Sequence, residues 1–301
     1  MLDVFEFLQP PADLQQFIKY LWVIEGKASE QKPYEHRALV DGCTQLLFAF
    51  RGGFYRLGDS GEQSPFLNSA LVAQTTTPLI YRMTEDFSLF GVCLYPFSIP
   101  YLMGIKGSDF IDRYYAPGEL IDELTPELEM AIMQSEHQDA RQAIISDLFK
   151  PYIDRLTGSE PAALPIIREM FHAQAPDTLN NLVHPKSLSS RHLQRQFKGY
   201  SGYTPKQLVR ILRMQLTLSE TATDNLSGIA TDGHYYDQSH LTNEFQALAG
   251  TTPKSYFAGE QPDARWRREG VEVAFFQSKT KRTGYAVTSS NVKGINNDAD
   301  D

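Results

Sequence analysis

Cysteine and tryptophan are scarce in this chain, each occurring twice in 301 residues. Two thiols cannot staple a small secreted fold. Cys43 and Cys93 sit in apolar surroundings (DGCTQLLFAF and FGVCLYPF), the usual setting of buried thiols in a reducing compartment, and no disulfide or metal role is expected of them. Long apolar runs are also missing. Nothing approaches the roughly 18 consecutive apolar residues of a spanning helix, and MLDVFEFLQPP lacks the basic and then apolar layout of a secretory leader. A cytoplasmic protein with no membrane partner is expected. Positive charge is in deficit: 28 Lys+Arg against 37 Asp+Glu leave a net charge of −9. Taken whole, that balance argues against a nucleic-acid partner, because phosphate binding is driven by Lys and Arg displacing counterions.

The deficit is uneven along the chain. Residues 1–161 hold 12 Lys+Arg and 23 Asp+Glu, 162–258 hold 9 and 7, and 259–301 hold 7 and 7. An acidic sensing or assembly domain joined to a mildly basic one is implied. A hydrophobic content of 42% is ample for packed cores, and the length suits two domains. From about 20 to 95 short apolar runs alternate with Gly and Pro (YLWVIEG, TQLLFAFRGGFYRLG, SALVAQTTTPLIYRM, FSLFGVCLYP), which predicts antiparallel β-structure. From 119 onward apolar residues recur three and four apart, as in helices. Thr157-Gly158-Ser159-Glu160-Pro161 is the linker candidate. The predicted fold is therefore α+β: a β-rich domain with flanking helices over 1–160, an all-α domain over 161–258, and a tail over 259–301. That tail carries one candidate strand, VEVAFFQ, and ends in a polar NNDADD expected to be disordered.

The strongest signal is an internal repeat at an offset of 48 residues. SRHLQRQFKGYSGYTPK aligns with SHLTNEFQALAGTTPK, pairing Ser189 with Asp237, His192 with His240, Leu193 with Leu241 and Phe197 with Phe245. Gly202 then pairs with Gly250, and Thr204-Pro205-Lys206 with Thr252-Pro253-Lys254. Each copy reads as one helix, capped by Ser or Asp, striped by Leu and Phe four apart, and closed by Gly before a Thr-Pro restart. Upstream, Leu182-Val183 pairs with Ile229-Ala230, so each unit has a short helix, a turn and a longer helix. That is the helix-turn-helix layout, whose second helix enters the major groove.

On this reading Ser190, Arg191, Gln194, Arg195 and Lys198 point outward in the first unit, and Gln238, Ser239, Thr242, Asn243 and Gln246 in the second. Between the units KQLVRILRMQLTLSE buries Leu208, Ile211, Leu212 and Leu216, giving a connecting helix of about 14 residues and roughly 20 Å. Lys206, Arg210 and Arg213 share another face, suited to phosphate or simply to water.

At these residues the chain resembles the C-terminal DNA-binding domain of AraC/XylS-type transcription regulators, with SSRHLQRQFK as first reading helix and YYDQSHLTNEF before TTPKSYF as second motif. PPADLQQFIKYLW and FGVCLYPFSIPYLMGI resemble the effector or dimerisation domain of some such regulators. The resemblance implies a sequence-specific regulator, modulated through its N-terminal domain, with double-stranded DNA, RNA polymerase, a small-molecule effector and a second copy as partners, and no cofactor. Two departures stand out. His234 replaces the usual Gly of the second turn, with Gly233 beside it, and Pro185-Lys186 should shorten the first supporting helix.

Enzymatic readings fare worse. Asp237, Ser239 and His240 carry the letters of a hydrolytic triad, but near-neighbours on one helix cannot place acid, base and nucleophile in line. Glu35-His36 has no second His at ligand spacing. Trp22, Phe48, Phe50, Tyr81 and Tyr95 suit either a ligand pocket or a core.

Overall fold

Among the described residues the front half holds nine strands: β1 (Leu2–Leu8), β2 (Ile18–Gly26), β3 (Tyr34–Ala38), β4 (Thr44–Arg51), β5 (Tyr55–Leu57), β6 (Ser69–Val72), β7 (Leu79–Met83), β8 (Phe87–Leu94) and β9 (Tyr114–Tyr115). The computed structural model describes residues 2–58, 61–135, 137–173, 175–183, 191–220 and 235–257. Its strands form an antiparallel six-stranded sheet, ordered β1-β2-β8-β4-β6-β9, and a three-stranded sheet, β3-β7-β5. Successive side chains leave opposite faces of a strand. Along β8, Phe87 and Leu89 therefore join Ile24, Leu47, Tyr81 and Met83 between the two sheets, while Phe90, Val92 and Leu94 face the helices. Covered on both sides, β8 is buried throughout and reads as a continuous apolar run. Gly91 sits opposite Trp22, and a Cβ there would fall 1.9 Å from the indole, so the glycine lets that ring lie across the strand.

Four helices flank the large sheet: α1 (Ser98–Met103), α2 (Gly107–Phe110), α3 (Pro126–Gln134) and α4 (Gln138–Asp154). The linker follows, exposed from Thr157 to Glu160. Beyond it come α5 (Ala163–His172), α6 (Pro176–Leu182), α7 (Arg191–Ser201), α8 (Pro205–Glu220), α9 (Gln238–Ala249) and α10 (Pro253–Phe257). Pro185, Lys186, Ser189, Ser190, Ile229-Ala230, Gly233, His234 and the tail with VEVAFFQ lie outside the described residues. Among the described residues no helix is long and apolar enough to cross a membrane.

The exposed linker joins two halves that share one apolar cluster, running from Leu46 and Phe90 through Phe171 to Leu208 and Phe245. Polar groups register the seam. Thr44 Oγ1 donates to Gln74 Oε1 at 3.0 Å, and Gln74 Nε2 donates to the Ser201 carbonyl at 2.8 Å. The Tyr203 hydroxyl donates to the Thr75 carbonyl at 2.6 Å. Gly107 and Gly202 bring their backbones together beside this bond. A Cβ on Gly107 would come within 2.6 Å of the Gly202 nitrogen, and Gly202 itself holds φ +75°.

Gln74 is fully buried, so Gln74→Ala would strand the Ser201 carbonyl and the Thr44 hydroxyl inside the seam. A loss of about 1–3 kcal/mol is expected. Urea denaturation followed by circular dichroism measures it, and an unchanged midpoint would show that the two halves do not depend on this contact.

Candidate nucleic-acid interface

The first unit is built on the stripe that the repeat exposes. Phe197 of α7 is buried, Leu193 is half-buried against the same core, and Arg191, Gln194, Arg195 and Lys198 are exposed on the remaining face. Arg195 Nη2 lies 3.2 Å from His192 Nδ1, one turn back on the helix. The supporting helix α6 is short, seven residues, ending at Leu182 just before Pro185.

The second unit shows its cap directly. Asp237 is extended, and its carboxylate accepts from the His240 N–H at 2.7 Å, closing the first turn of α9. Leu241, Phe245, Leu248 and Ala249 are buried, and Gly250 ends the helix in the left-handed region. Gln238, Ser239, Asn243 and Gln246 are exposed. Thr242 is half-buried, its hydroxyl donating to the Gln238 carbonyl at 2.8 Å. With Asp237 engaged as a cap and Ser239 pointing to solvent, the triad letters form no triad.

The connecting helix α8 runs 16 residues rather than about 14. Leu208, Ile211, Leu212 and Leu216 are buried as the pattern predicts, but so are Val209, Met214, Gln215, Thr217 and Leu218. The reason is tertiary: the front domain packs on the helix as well. Gln215 Nε2 donates to the Val40 carbonyl at 2.6 Å, and Val40 N–H donates onward to the Leu248 carbonyl of α9 at 3.1 Å.

Between the units opens a groove of about 950 Å³, walled by Asn180 of α6, Gln194 of α7, Lys206, Arg210 and Arg213 of α8, and His240 and Glu244 of α9. The three cations read as one row are not equivalent. Lys206 is exposed. Arg210 Nε donates to Glu244 Oε2 at 2.6 Å, tying α8 to α9. Arg213 Nη2 donates to Asn180 Oδ1 at 3.3 Å, and its guanidinium lies 6.0 Å from the Tyr235 ring centre. Burial, above all, pushes the Tyr235 phenol up to about 12. Asn180 and His240 were not singled out as groove residues by sequence reasoning. Asn180 meets Arg213 from another helix, which no local pattern marks, while His240 Nδ1 accepts from the Tyr236 N–H at the start of its own helix.

A second concavity, of about 90 Å³, lies between the two sheets of the front domain. Of the five aromatics with two readings, Trp22 and Tyr81 line it. Phe48 and Tyr95 belong to the core facing the helices, and Phe50 packs 4.1 Å beneath the Arg141 guanidinium. His36 also lines this cavity, while Glu35 pairs with Arg82, whose Nε donates at 3.0 Å.

Residues 186–259 match a family described as a helix-turn-helix domain, and residues 6–116 match a domain of unknown function, DUF6597. No curated protein matches the chain. Among solved structures, ToxT from Vibrio cholerae O395 is 11% identical, with a TM-score of 0.40 over 79% of this chain and 97% of that one. Unsaturated fatty acid bound ToxT from V. cholerae strain SCE256 is 12% identical, with a TM-score of 0.38 over 78% and 93%. The AraC-like transcriptional activator CuxR is 10% identical, with a TM-score of 0.28 over 73% and 87%.

Glu244 holds Arg210 inside the groove, so Glu244→Gln should release a cation toward any bound phosphate. Each neutralised phosphate adds about −0.9 to the slope of log K against log salt. The variant's slope on duplex DNA should steepen by about that amount. An unchanged slope would place Arg210 out of reach of the backbone.

Proposed function

We propose, from the premise that residues 186–259 are a helix-turn-helix domain of the AraC/XylS type, that this chain regulates transcription by seating the α6–α7 unit and the α9 helix on duplex DNA, one on each side of the 950 Å³ groove. One observation carries the reading. Two helices, α7 and α9, the second capped by Asp237, turn exposed polar faces outward while their Leu and Phe stripes pack inward on the same connecting helix. The residues proposed to meet DNA are Ser190, Arg191, Gln194, Arg195, Lys198 and Lys206, with Gln238, Ser239, Thr242 and Asn243 from the second unit.

The two units contribute unequally. Arg191, Gln194, Arg195 and Lys198 supply groups that pair with guanine, adenine or phosphate, and Arg to guanine is the commonest specific contact. From Thr221 to Pro253 there is no Lys or Arg, and Arg210 and Arg213, which flank α9, are engaged with Glu244, Asn180 and Tyr235. The second unit then acts mainly as a brace that fits the shape of the duplex.

Residues 1–160 are proposed to sense and to assemble, with a small apolar effector in the intersheet cavity, and a second copy and RNA polymerase as protein partners. Geometry supports the coupling. The strap from Leu39 to Cys43 alternates: Leu39, Asp41 and Cys43 line the cavity, whereas Val40 is bonded to α8 and α9, and a Cβ on Gly42 would meet Leu208 and Phe171. A ligand that displaces the odd residues therefore moves the even ones against α8 and α9.

Losing one good base contact costs about 1–3 kcal/mol. On an operator found by footprinting, Arg195→Ala should weaken binding roughly tenfold or more, and Asn243→Ala distinctly less. Fluorescence anisotropy measures both, and equal losses would overturn the unequal assignment. The wild-type salt slope should fall well short of −9, since 162–258 holds only 9 basic residues and Arg168, Arg210 and Arg213 are tied up internally. Affinity insensitive to salt would remove the phosphate-driven picture altogether.

A further inference from the structure

The two cysteines, expected to be inert, meet at the cavity end of the strap. Gln45 of β4 pairs with Cys93 of β8. Cys43, two residues before Gln45, therefore lies diagonally from Cys93 on the same face of the sheet. Both thiols are free and buried. Ligand atoms from Asp41, Cys43 and Cys93 all lie within 4.8 Å of one another. Asp41 and Cys43 also line the intersheet cavity, which leaves one side of the cluster open to space.

The cluster is already oriented by its neighbours. Gln45 Nε2 donates to Asp41 Oδ2 at 3.1 Å and contacts Cys93 Sγ at 3.3 Å, while Trp22 Nε1 donates to Gln45 Oε1 at 3.2 Å and fixes that carboxamide. The Cys43 N–H donates to Asp41 Oδ1 at 2.8 Å. Outer groups that hold donors in place in this way are what a coordination site requires. The buried Tyr20 hydroxyl lies beside Cys93.

We propose that Asp41, Cys43 and Cys93 bind a divalent, thiophilic cation of the Zn²⁺ type, its fourth position opening on the intersheet cavity. Thiolates favour soft or borderline ions over Mg²⁺ or Ca²⁺, and three protein ligands with one open position is a common zinc arrangement. Charge selects a divalent ion. Two thiolates and a carboxylate carry three negative charges, and the Lys19 ammonium lies close enough to act on both Asp41 and Cys43. A divalent ion brings that set to neutrality, whereas a monovalent one leaves a buried net charge, which is costly. With no ion bound, burial pushes the Cys43 thiol and the Asp41 carboxyl up. Binding replaces the two thiol protons by metal–sulfur bonds and releases both protons to solvent; no electron is transferred.

The test uses the full-length, reduced protein and Co²⁺ as a spectroscopic probe, with Zn²⁺ in competition and Mg²⁺ as a hard-ion control. One Co²⁺ per chain should bind with a thiolate-to-cobalt charge-transfer band and release about two protons. Zn²⁺ should bleach the band and Mg²⁺ should not. Cys93→Ser and Asp41→Asn should each weaken binding at least about tenfold. Should either variant fail to fold by circular dichroism, the band, stoichiometry and proton count of the unaltered chain still decide. No thiolate band would overturn the proposal, as would a band retained at full strength in Cys93→Ser. So would a Cys43–Cys93 disulfide forming on air exposure in a chain whose reduced form takes up no Co²⁺.

Discussion

The carboxamide of Gln74 is the point on which the arrangement of the two halves turns. It is fully buried, and a buried amide must find partners for both its ends. One end meets Thr44 of the large sheet and the other the last carbonyl of α7, at Ser201. To bring that carbonyl within reach, the backbones at Gly107 and Gly202 must approach more closely than any side chain permits. Ser201 completes the turn: its hydroxyl donates to the Phe197 carbonyl at 2.8 Å and accepts from the Tyr203 N–H at 3.2 Å. The direction in which α8 leaves α7 is therefore set by contacts with the front domain as well as by the turn itself. An apolar seam alone would tolerate sliding; a matched pair of hydrogen bonds does not.

Charge follows the same logic of position. A chain at −9 carries its acidity in the front half, yet the groove between the units is not a simple basic strip. Arg210 and Glu244 bridge α8 and α9 with side chains 38% and 18% exposed. An ion pair so placed contributes little stability on its own. Its effect is to fix α9 against the connecting helix and to withhold one cation from solvent. Arg213 does the corresponding work toward α6 through Asn180. Among the described residues of the two units, the exposed cations are Arg191, Arg195 and Lys198 on α7, Lys206 at the start of α8 and Lys254 on α10.

The strap between β3 and β4 joins these themes. Its odd residues line the intersheet cavity while Val40 and Gly42 meet the helices, the chain bending at Gly42, where φ is +76°. One five-residue segment thus touches the cavity, the Asp41–Cys43–Cys93 cluster, the connecting helix α8 and the second-unit helix α9. No other segment described above has that reach.

Sequence determined whatever depends on residues a turn or a strand apart. The Asp237 cap, the Gly202 and Gly250 helix ends, the Thr-Pro restarts, the Leu193–Phe197 and Leu241–Phe245 stripes and the antiparallel front domain were all legible, because each reflects local backbone geometry or a repeating period. Ser189 and the first helix of the second unit, read from the same repeat, lie outside the described residues. Tertiary structure alone decided which of three cations on α8 face free space, that Trp22 and Tyr81 line a cavity while Phe48 and Tyr95 fill the core, and that two thiols distant in sequence share one carboxylate. Gln74 and Ser201 are 127 positions apart, and Gln215 and Val40 are 175 apart. Contacts of that span leave no periodic trace in the chain, because their partners are brought together only when the apolar faces that separate them in sequence have packed.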